Sequence, residues 1–178
     1  MSRLSVVLPA YNEELMVGKT CRVLHEVLAE AGISYELVVV DDGSKDKTWE
    51  EITKAGEKDG NVLGVHFSRN FGKESAIFAG LQKAKGDYVV MMDADLQDPP
   101  SLLPEMFSYI KEGYDSVATR RVTRKGEPPI RSFFARMFYK IMNKISDTEL
   151  MDGARDYRLM TRQFVNALLE LKEYNRFS

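Results

Sequence analysis

Residues 88–100 read YVVMMDADLQDPP and join an apolar run to a cluster of acids and two prolines. The first five residues of this stretch form an apolar run of β-favouring side chains, and two consecutive prolines then prevent the strand from continuing. Apolar runs of this length are typical of strands buried on both faces, which occur in parallel sheets covered by helices. The stretch therefore predicts a buried strand followed by Asp93, Asp95, Gln97 and Asp98.

The oxygen-bearing side chains after this strand indicate a cation-dependent ligand site. In open α/β sheets, ligands bind beyond the carboxyl ends of the strands. Three carboxylates are costly together at that place unless a cation neutralises them. Mg²⁺ and Mn²⁺ prefer oxygen ligands, commonly one or two carboxylates completed by substrate phosphates. An alternative is that Asp93 and Asp95 are ordinary loop acids and that Asp98 helps to cap the next helix.

Strands and helices alternate along the rest of the chain. Further strands are predicted at residues 4–8, 35–40, 62–67 and 116–119. Helices are expected from Asn12, as the N-cap, to about residue 31, then through residue 57, after residue 73, and over 102–111 and 164–171. A short strand is expected within residues 151–160. The pattern predicts one α/β domain of 178 residues with a mostly parallel sheet.

A second acidic pair, Asp41 and Asp42, follows the second predicted strand. Either Ser44 or Asp46 is expected to cap the next helix. A capping role does not explain Asp41 and Asp42. Their position after a strand therefore indicates a role in ligand binding at the same edge of the sheet.

Gly72 and Lys73 are similar to the end of a phosphate-binding loop, but the known fingerprints are missing. The Walker pattern needs a glycine five residues before Gly72, where Phe67 stands. No G-x-G-x-x-G run occurs in the sequence. Both the nucleoside-triphosphate loop and the dinucleotide fingerprint are therefore excluded.

Composition and charge narrow the classes of protein. The net charge of -2 gives no reason to expect nucleic acid as a partner. Cys21 is the single cysteine, which excludes an internal disulfide and fits a reducing, cytosolic setting. No apolar run is long enough to cross a bilayer, and no signal peptide precedes the first strand, so we expect a soluble chain. His25 and His66 are interpreted as packing residues and not as ligands.

Residues 120–146 differ from the rest of the chain in charge. They contain eight basic residues and one acid, Glu127. A basic loop is predicted first, followed by an amphipathic helix over residues 130–145. The ordinary interpretation is a helix with its apolar side in the core and its basic side in solvent. The alternative is a segment that binds an anionic membrane surface. The basic residues are Arg120, Arg121, Arg124, Lys125, Arg131, Arg136, Lys140 and Lys144.

Several motifs together make the chain resemble the family 2 glycosyltransferases, which have the GT-A fold. Within them it is similar to the polyprenyl-phosphate branch, and the resemblance covers essentially all of the sequence. The motifs are VVLPAYNEE (6–14), VVVDDGSKDKT (38–48), SRNFGKESAIFAGL (68–81), MDADLQDPP (92–100), ARDYRLM (154–160) and NRF (175–177).

The resemblance implies a donor pocket for a nucleotide sugar. Pro9, Tyr11 and Glu13 would line the space for the base and ribose, and Asp41 would hold the edge of uracil or guanine. Arg120 and Arg131 would meet the phosphates of the donor or the acceptor. The other positions assigned to substrate binding are Asp42, Lys73, Asp93 and Ala94.

The resemblance also implies a metal site and a catalytic carboxylate. Asp93 and Asp95 form a D-x-D motif, in which Asp95 and Gln97 are the expected direct ligands of Mg²⁺ or Mn²⁺. Asp156 would lie beside the reacting centre as a base or as an acceptor-orienting carboxylate, and Asp95 is counted with it as catalytic. A phosphate monoester has its second pKa near 6, so a lipid phosphate needs little help from a strong base. In-line attack on the sugar would invert the anomeric centre.

The expected function is therefore metal-dependent, inverting hexose transfer. The donor would be UDP-glucose, or failing that GDP-mannose, and the acceptor polyprenyl phosphate at the cytoplasmic face of the membrane. One alternative is a family 2 transferase acting on a saccharide acceptor in the synthesis of cell-envelope polysaccharide. Another is a non-catalytic accessory protein that binds nucleotide sugars, although a pure binder would not need Asp156. The sequence leaves open whether the chain forms a homo-oligomer.

The end of the sequence departs from this branch. Its members usually continue past the NRF motif into an interfacial helix and two membrane-spanning helices, whereas this sequence ends at Ser178. The chain is expected to be the catalytic domain alone, either as part of a longer protein or as a naturally short one.

Overall fold

The computed structural model describes residues 3–120 and 154–170. The strands are β1 (Arg3–Ala10), β2 (Ser34–Asp41), β3 (Val62–His66), β4 (Tyr88–Met91), β5 (Ser116–Arg120) and β6 (Ala154–Thr161). The helices are α1 (Val17–Glu30), α2 (Thr48–Lys58), α3 (Lys73–Lys83), α4 (Leu103–Lys111) and α5 (Arg162–Glu170), and a 3₁₀ turn, Pro100–Leu102, precedes α4. The predicted helix over residues 130–145 lies outside the described residues.

The chain divides into two compact units. The first consists of Met1–Val117 and Asp156–Ser178, and the second of Ala118–Arg155. The first unit contains the sheet edge on which the sequence motifs converge. The prediction of one catalytic domain over residues 1–178 stays a prediction.

Six strands form one sheet in the order β3-β2-β1-β4-β6-β5. β1 pairs in parallel with both β2 and β4, β2 pairs in parallel with β3, and β6 runs antiparallel to β4. The predicted α/β class with a mostly parallel sheet is confirmed. Strand order reverses between β1 and β4, because the chain leaves β1 to build one side of the sheet and returns to its other side. Ligands of such folds bind at this switch point, beyond the carboxyl ends of the strands.

The strands β1, β2 and β4 are buried on both faces, as their apolar runs predict, whereas β3 is partly exposed. Leu4, Val6 and Leu8 of β1 pack with α1 and α4 on one face of the sheet. The intervening Val7 packs on the other face with residues of α3 and α5. Successive strand side chains point to opposite faces, so a continuous apolar run supplies both layers.

Gly80 of α3 allows the close approach of this helix to β1. A Cβ at this position would lie 2.3 Å from Val7 Cγ1 and 3.3 Å from Val40 Cγ2. The glycine therefore sets the depth at which α3 rests on the sheet, and with it the height of the α3 N-terminus beside the switch point.

The predicted start of the first helix is wrong. α1 begins at Val17 and not after Asn12. β1 also continues through Pro9 to Ala10. The carbonyl of Val7 accepts the amide hydrogen of Met92, on the β4 side, and the carbonyl of Ala10 accepts that of Asp42, on the β2 side. Because the backbone groups of successive strand residues point to alternate sides, those of Pro9 point toward β4. The pairing of β1 with β4 ends at Val7, so the missing N–H of Pro9 breaks no hydrogen bond between strands.

The N-cap of α2 is Lys47, so the prediction that Ser44 or Asp46 occupies this position is wrong, although Asp46 makes a hydrogen bond next to it. Asp46 Oδ1 accepts the amide hydrogen of Thr48, the first residue of α2, at 3.0 Å. Ser44 does not cap this helix, because its hydroxyl oxygen accepts the amide hydrogen of Asn12 instead.

Among the helices in the described ranges, none combines the length and apolar character required to cross a membrane.

Candidate functional site

A cleft of about 310 Å³ opens at the switch point between β1 and β4. It is formed by the segments that follow β1, β2 and β4 and by the N-terminus of α3. The residues lining it are Pro9, Ala10, Tyr11, Glu13, Asp42, Asn70, Gly72, Lys73, Ala76, Asp93, Ala94 and Asp95. Eight of the residues predicted for the site from the sequence are among them.

A larger groove of about 460 Å³ lies between α1 and α2. Its lining includes Lys19, Arg22 and Lys58, but none of the predicted site residues. Size alone does not identify the reactive site, since the polar groups that converge on the smaller cleft are the ones that ligand chemistry requires.

The segment after β1 is fastened to the segment after β2. Asn12 has a left-handed backbone conformation, with φ at 56°. Its side-chain oxygen accepts the amide hydrogen of Lys45 at 3.0 Å. The amide of Glu13 donates to Thr48 Oγ1 at 2.7 Å. These bonds hold Tyr11, which is 41% exposed, and Glu13 at the cleft.

Asp41 and Asp42 are both buried, but only Asp42 lines the cleft. The two oxygens of Asp42 accept the amide hydrogens of Phe71 and Gly72, at 2.7 Å and 2.9 Å. Hydrogen bonds to a carboxylate are among the strong ones in proteins. The carboxylate of Asp42 therefore fixes the turn that leads into α3.

Asp41 is held by a different set of partners. Its Oδ1 accepts the amide hydrogen of Ser44 at 3.0 Å, and its Oδ2 accepts a hydrogen from His66 Nδ1 at 2.7 Å. His66 is 42% exposed and its ring lies 4.9 Å from that of Trp49. Any contact of Asp41 with a nucleobase would have to be made by a carboxylate that already has these two donors.

Gly43 lets the turn after Asp42 pass close to the segment before α3. Its φ is 67°, and a Cβ here would lie 2.3 Å from the carbonyl carbon of Arg69. No other residue type fits this left-handed position without displacing backbone. The two segments that Asp42 joins by hydrogen bonds are thus also in direct backbone contact.

The segment after β4 presents the two aspartates of the D-x-D motif. Asp95 Oδ1 accepts the amide hydrogen of Gln97 at 3.0 Å, and Leu96 between them has a φ of 60°. The hydroxyl of Thr20 donates to the carbonyl of Ala94 at 2.6 Å, which anchors the segment to α1. Asp93 and Asp95 line the cleft, whereas Gln97 is exposed and does not.

Negative charge accumulates in the cleft, and Glu13 responds to it. Burial raises the pKa of Glu13, and the charges of Asp95, Asp46 and Asp93 raise this pKa further. Lys73 supplies a positive charge at the same place, with its Nζ 2.8 Å from Asp93 Oδ1. The cleft is therefore suited to a ligand that brings a cation with it.

The residues of the cleft fit a divalent metal only in part. Within residues 3–120 and 154–170, no three His, Cys, Asp or Glu side chains form a group that could hold a metal ion. Asp93 and Asp95 provide two carboxylates on one short segment. Mg²⁺ is commonly held by one or two carboxylates and by substrate phosphates. The donor set thus fits a metal that arrives with a phosphate ligand better than a permanent metal site.

The other predicted residues are not all described to the same extent. Asp156 lies in β6 and Arg120 ends β5, and the side chains of both are outside the description. Arg131 lies outside the described residues altogether. Their roles stay predictions.

The cleft lining contains residues that the sequence interpretation did not assign to it, namely Ala10, Asn70, Gly72 and Ala76. His66, interpreted from the sequence as a packing residue, contacts one of the predicted residues. It is satisfied by a hydrogen bond, as a packing histidine would be, but its partner is Asp41. Asp41 and His66 are paired in register at the carboxyl ends of β2 and β3. Their positions at the ends of two predicted strands are the sequence signal that could have indicated this contact. His25 is also satisfied, since its Nδ1 lies 2.5 Å from the hydroxyl of Tyr35, which donates to Asp59.

Comparison with known protein families gives a match over most of the chain. The model of glycosyl transferase family 2 matches residues 5–169. The putative glycosyltransferase CsbB of Bacillus subtilis is 43% identical over 179 residues, which cover 98% of this chain and 53% of the relative. The bactoprenol glucosyl transferase of Shigella phage SfV is 37% identical over 175 residues, covering 98% and 57%. The chain spans about half the length of these curated relatives.

The fold is also that of solved glycosyltransferases. The mannosyltransferase PcManGT from Pyrobaculum calidifontis, solved in complex with GDP-Man and Mn²⁺, superposes with a TM-score of 0.64. The two share 22% sequence identity, and the match covers 94% of this chain and 46% of that one. At this identity the likeness concerns the fold alone, and it confirms the predicted GT-A architecture.

Proposed function

This chain belongs to glycosyl transferase family 2, and we propose that it transfers a hexose from a nucleoside diphosphate sugar to polyprenyl phosphate. Glucose from UDP-glucose is the favoured sugar, since a relative that aligns with nearly the whole chain is named a bactoprenol glucosyl transferase. GDP-mannose is the next choice of donor. The reaction is proposed to invert the anomeric centre and to take place at the cytoplasmic face of the membrane.

The observation that carries this proposal is the cleft at the β1–β4 switch point. Asp93 and Asp95 meet Glu13 and Lys73 there, at the edge of the sheet where ligands of α/β folds bind. In this proposal Asp93, Asp95 and Gln97 hold Mg²⁺ or Mn²⁺ together with the diphosphate. When bound, the metal would neutralise the charge that develops on the leaving nucleoside diphosphate.

The chain's own side chains divide the remaining tasks. Tyr11 and Pro9 offer flat apolar surface to the base and ribose, and Asp42 keeps the turn before α3 in place. Asp156 orients the acceptor phosphate. Because that phosphate is largely ionised near neutral pH, the main demands on the site are positioning and charge stabilisation, which the preformed segments around the cleft can meet.

The basic stretch of residues 120–146 is proposed to face the membrane. It lies outside the described residues except for the backbone of Arg120, so this part of the proposal rests on the sequence. Eight positive charges against one negative charge favour an anionic lipid surface. The segment would hold the cleft near the lipid phosphate that it has to glycosylate.

A thermal-shift panel tests the donor site directly. The chain is melted with UDP, GDP, CDP or dTDP, each with Mn²⁺ and with a chelator. We expect a large stabilisation by UDP or GDP that requires the metal and disappears in Asp95→Ala, while Glu57→Gln, on an exposed part of α2, behaves as the wild type. A shift in the wild type that is independent of metal would reject the metal assignment. Transfer assays with polyprenyl phosphate and with an oligosaccharide then separate the two acceptor classes.

A further inference from the structure

Two arginines stand at the two ends of the pairing between β4 and β6. Arg162, the first residue of α5, donates from both Nε and Nη2 to the carbonyl of Gly86, at 2.9 Å and 2.5 Å. Arg158 is paired in register with Met91, the last residue of β4. The guanidinium of Arg162 therefore serves the fold at one end of β4, and Arg158 lies at the end where β4 leads into the D-x-D motif.

Arg158 lies on the face of the sheet that α3 and α5 cover. The next residue, Leu159, packs on the opposite face with α1 and α4, whereas Met160 packs with α3 and α5. Strand residues two positions apart share a face, so Arg158 is on the side of Met160, where it is half-buried. The N-terminus of α3, which contributes Lys73 to the cleft, belongs to this same side of the sheet.

The charge of Arg158 is not neutralised by the residues that the structure describes. Within residues 3–120 and 154–170, its side chain makes neither an ion pair nor a hydrogen bond. Withdrawing a charge from water costs free energy unless the charge is paired. The guanidinium carries five N–H donors in a planar fork, which matches two oxygens of a phosphate group. A phosphate is therefore a partner that suits Arg158 in both charge and shape.

β6 adjoins β4 on the side away from the cleft. The cleft lies between β1 and β4, and the order of the sheet continues from β4 to β6. Asp93 follows Met91 by two residues, about 7 Å along an extended chain, a distance that an arginine side chain can bridge. In-line attack brings the acceptor to the sugar from the side away from the leaving diphosphate. An anion bound from β6 would therefore have the position of the acceptor and not that of the leaving group.

We propose that Arg158 binds the phosphate of the acceptor and holds it beside the D-x-D motif. The inference rests on the proposed function, because the acceptor phosphate is part of it, and it names a residue to which that function had assigned no task. Asp156, proposed to orient the same phosphate, stands two positions before Arg158 in β6. The guanidinium would offset the repulsion between this carboxylate and the anionic acceptor.

Calorimetry with geranyl phosphate tests this contact without the need for turnover. The chain is saturated with UDP and Mn²⁺ and then titrated with geranyl phosphate, or with geraniol, which lacks the phosphate. We expect Arg158→Gln to weaken the binding of geranyl phosphate by about tenfold to a hundredfold, the range for one hydrogen bond to a charged group. The affinities for geraniol and for UDP should not change. Arg158→Lys, which keeps the charge without the planar fork, should show a smaller loss.

Arg22→Gln provides the matched control. Arg22 is an exposed residue of α1 in the α1–α2 groove, so this variant removes the same charge away from the cleft. It should bind geranyl phosphate and UDP as the wild type does. A second readout is the modification of Arg158 by phenylglyoxal in the wild type, measured by mass spectrometry. Geranyl phosphate should slow this modification and geraniol should not, a result that does not depend on the folding of any variant.

The outcomes separate this inference from the proposed function. Unchanged binding of geranyl phosphate by a folded Arg158→Gln, or no protection of Arg158 from phenylglyoxal, would overturn the inference. Arg158 would then be a side chain whose stem covers apolar surface while its charged end lies in water. An equal loss of UDP affinity would assign Arg158 to the donor and would also overturn it. If the wild type binds neither UDP nor geranyl phosphate with any metal, the proposed function fails. Protection of Arg158 by inorganic phosphate would then still show a phosphate site, and its absence would reject one.

Discussion

Asp41 and Asp42 are adjacent in sequence, yet their carboxylates fasten two different parts of the chain. Asp41 accepts a hydrogen from His66 Nδ1, at the end of β3, at 2.7 Å. Asp42 accepts the amides of Phe71 and Gly72, which begin the turn into α3. One acidic pair thus fixes both segments that enclose the nucleotide side of the proposed donor site.

Removing one acceptor oxygen from Asp42 should loosen the turn before α3. In Asp42→Asn, an amide group would face at least one of the two backbone N–H donors. We expect the free energy of unfolding to fall by about 2 kcal/mol, since the buried carboxylate loses its charge-assisted hydrogen bonds. Urea denaturation gives this value, and hydrogen exchange should show faster exchange at Phe71 and Gly72. Affinity for UDP with Mn²⁺ should fall as well, because Lys73 follows directly on this turn.

Asp87→Asn is the control for this prediction. Asp87 is exposed and accepts a single amide hydrogen, from Arg3, at the opposite end of β1. Its replacement should change stability little and leave UDP binding unchanged. Full protection of the two amides in Asp42→Asn would mean that the turn is held by other contacts and that the role given to Asp42 is wrong.

The sheet and its functional edge could be predicted from the sequence for a simple physical reason. Residues 6–8, 37–40 and 88–92 are apolar without interruption, which is typical of strands buried on both faces. Acids that directly follow such runs are then expected at one edge, where parallel strands end together. Asp42, Asp93 and Asp95 meet there. The uninterrupted apolar runs, together with the acids that follow them, therefore predicted the position of the cleft.

The details of the connecting segments could not be predicted in the same way. Asn12 has the residue type of a helix cap, but its partners are Ser44 and Lys45, more than thirty residues away. The sequence rules for helix caps consider only residues a few positions apart, so they do not predict contacts over such a distance in sequence. Nor could the sequence distinguish Asp41 from Asp42, because their different tasks depend on which side each faces at the end of β2. The antiparallel direction of β6 likewise depends on the tertiary path and not on its own residues.

The carboxylate of Glu36 should make stability depend on acid pH. Glu36 lies buried at the other end of the sheet, where its Oε1 accepts hydrogens from Ser5 Oγ and the Lys85 amide, each at 2.6 Å. Burial by itself raises the pKa of Glu36, but these bonds and the guanidinium of Arg3 outweigh burial and hold the pKa below its ordinary value of 4.5. The ionised form is therefore the one that the fold stabilises.

The sign of the effect follows from this lowered pKa. Stability contributed by ionised Glu36 is fully present above pH 4.5 and is lost as the pH falls through the folded-state pKa. Glu36→Gln should lower the free energy of unfolding by about 2 kcal/mol near pH 7. The difference from the wild type should shrink below pH 4.5 in a series of urea denaturations. A difference that does not vary with pH would show that packing, and not charge, is lost; Glu57→Gln serves as the exposed control.

Asp156 offers a way to separate chemistry from binding. Asp156→Asn preserves shape and removes the charge, so UDP affinity with Mn²⁺ should stay unchanged while transfer of labelled glucose to polyprenyl phosphate falls. We expect a loss of about a hundredfold, the lower end for an acid–base group, because the acceptor phosphate is already largely ionised. Asp115→Asn, an exposed acid before β5, is the control. If Asp156→Asn loses UDP binding in proportion to turnover, the residue belongs to the donor pocket.

The basic loop should bind the chain to anionic membranes. The net charge of the whole chain is -2, so any attraction must come from a local cluster. Each basic residue near an anionic leaflet contributes about 1 kcal/mol, and four acting together about 4 kcal/mol, near a thousandfold in partitioning. Co-sedimentation should show binding to vesicles rich in anionic lipid, weak at physiological salt and nearly absent in high salt. Reversal of charge at Arg121, Arg124 and Lys125 should abolish this binding to anionic vesicles without changing UDP binding.

The control reverses the same number of charges around the α1–α2 groove, at Lys19, Arg22 and Lys58. It changes the net charge equally and should reduce binding to the vesicles much less. Equal binding to neutral and anionic vesicles, or none to either at low salt, would leave a solvated basic surface as the explanation.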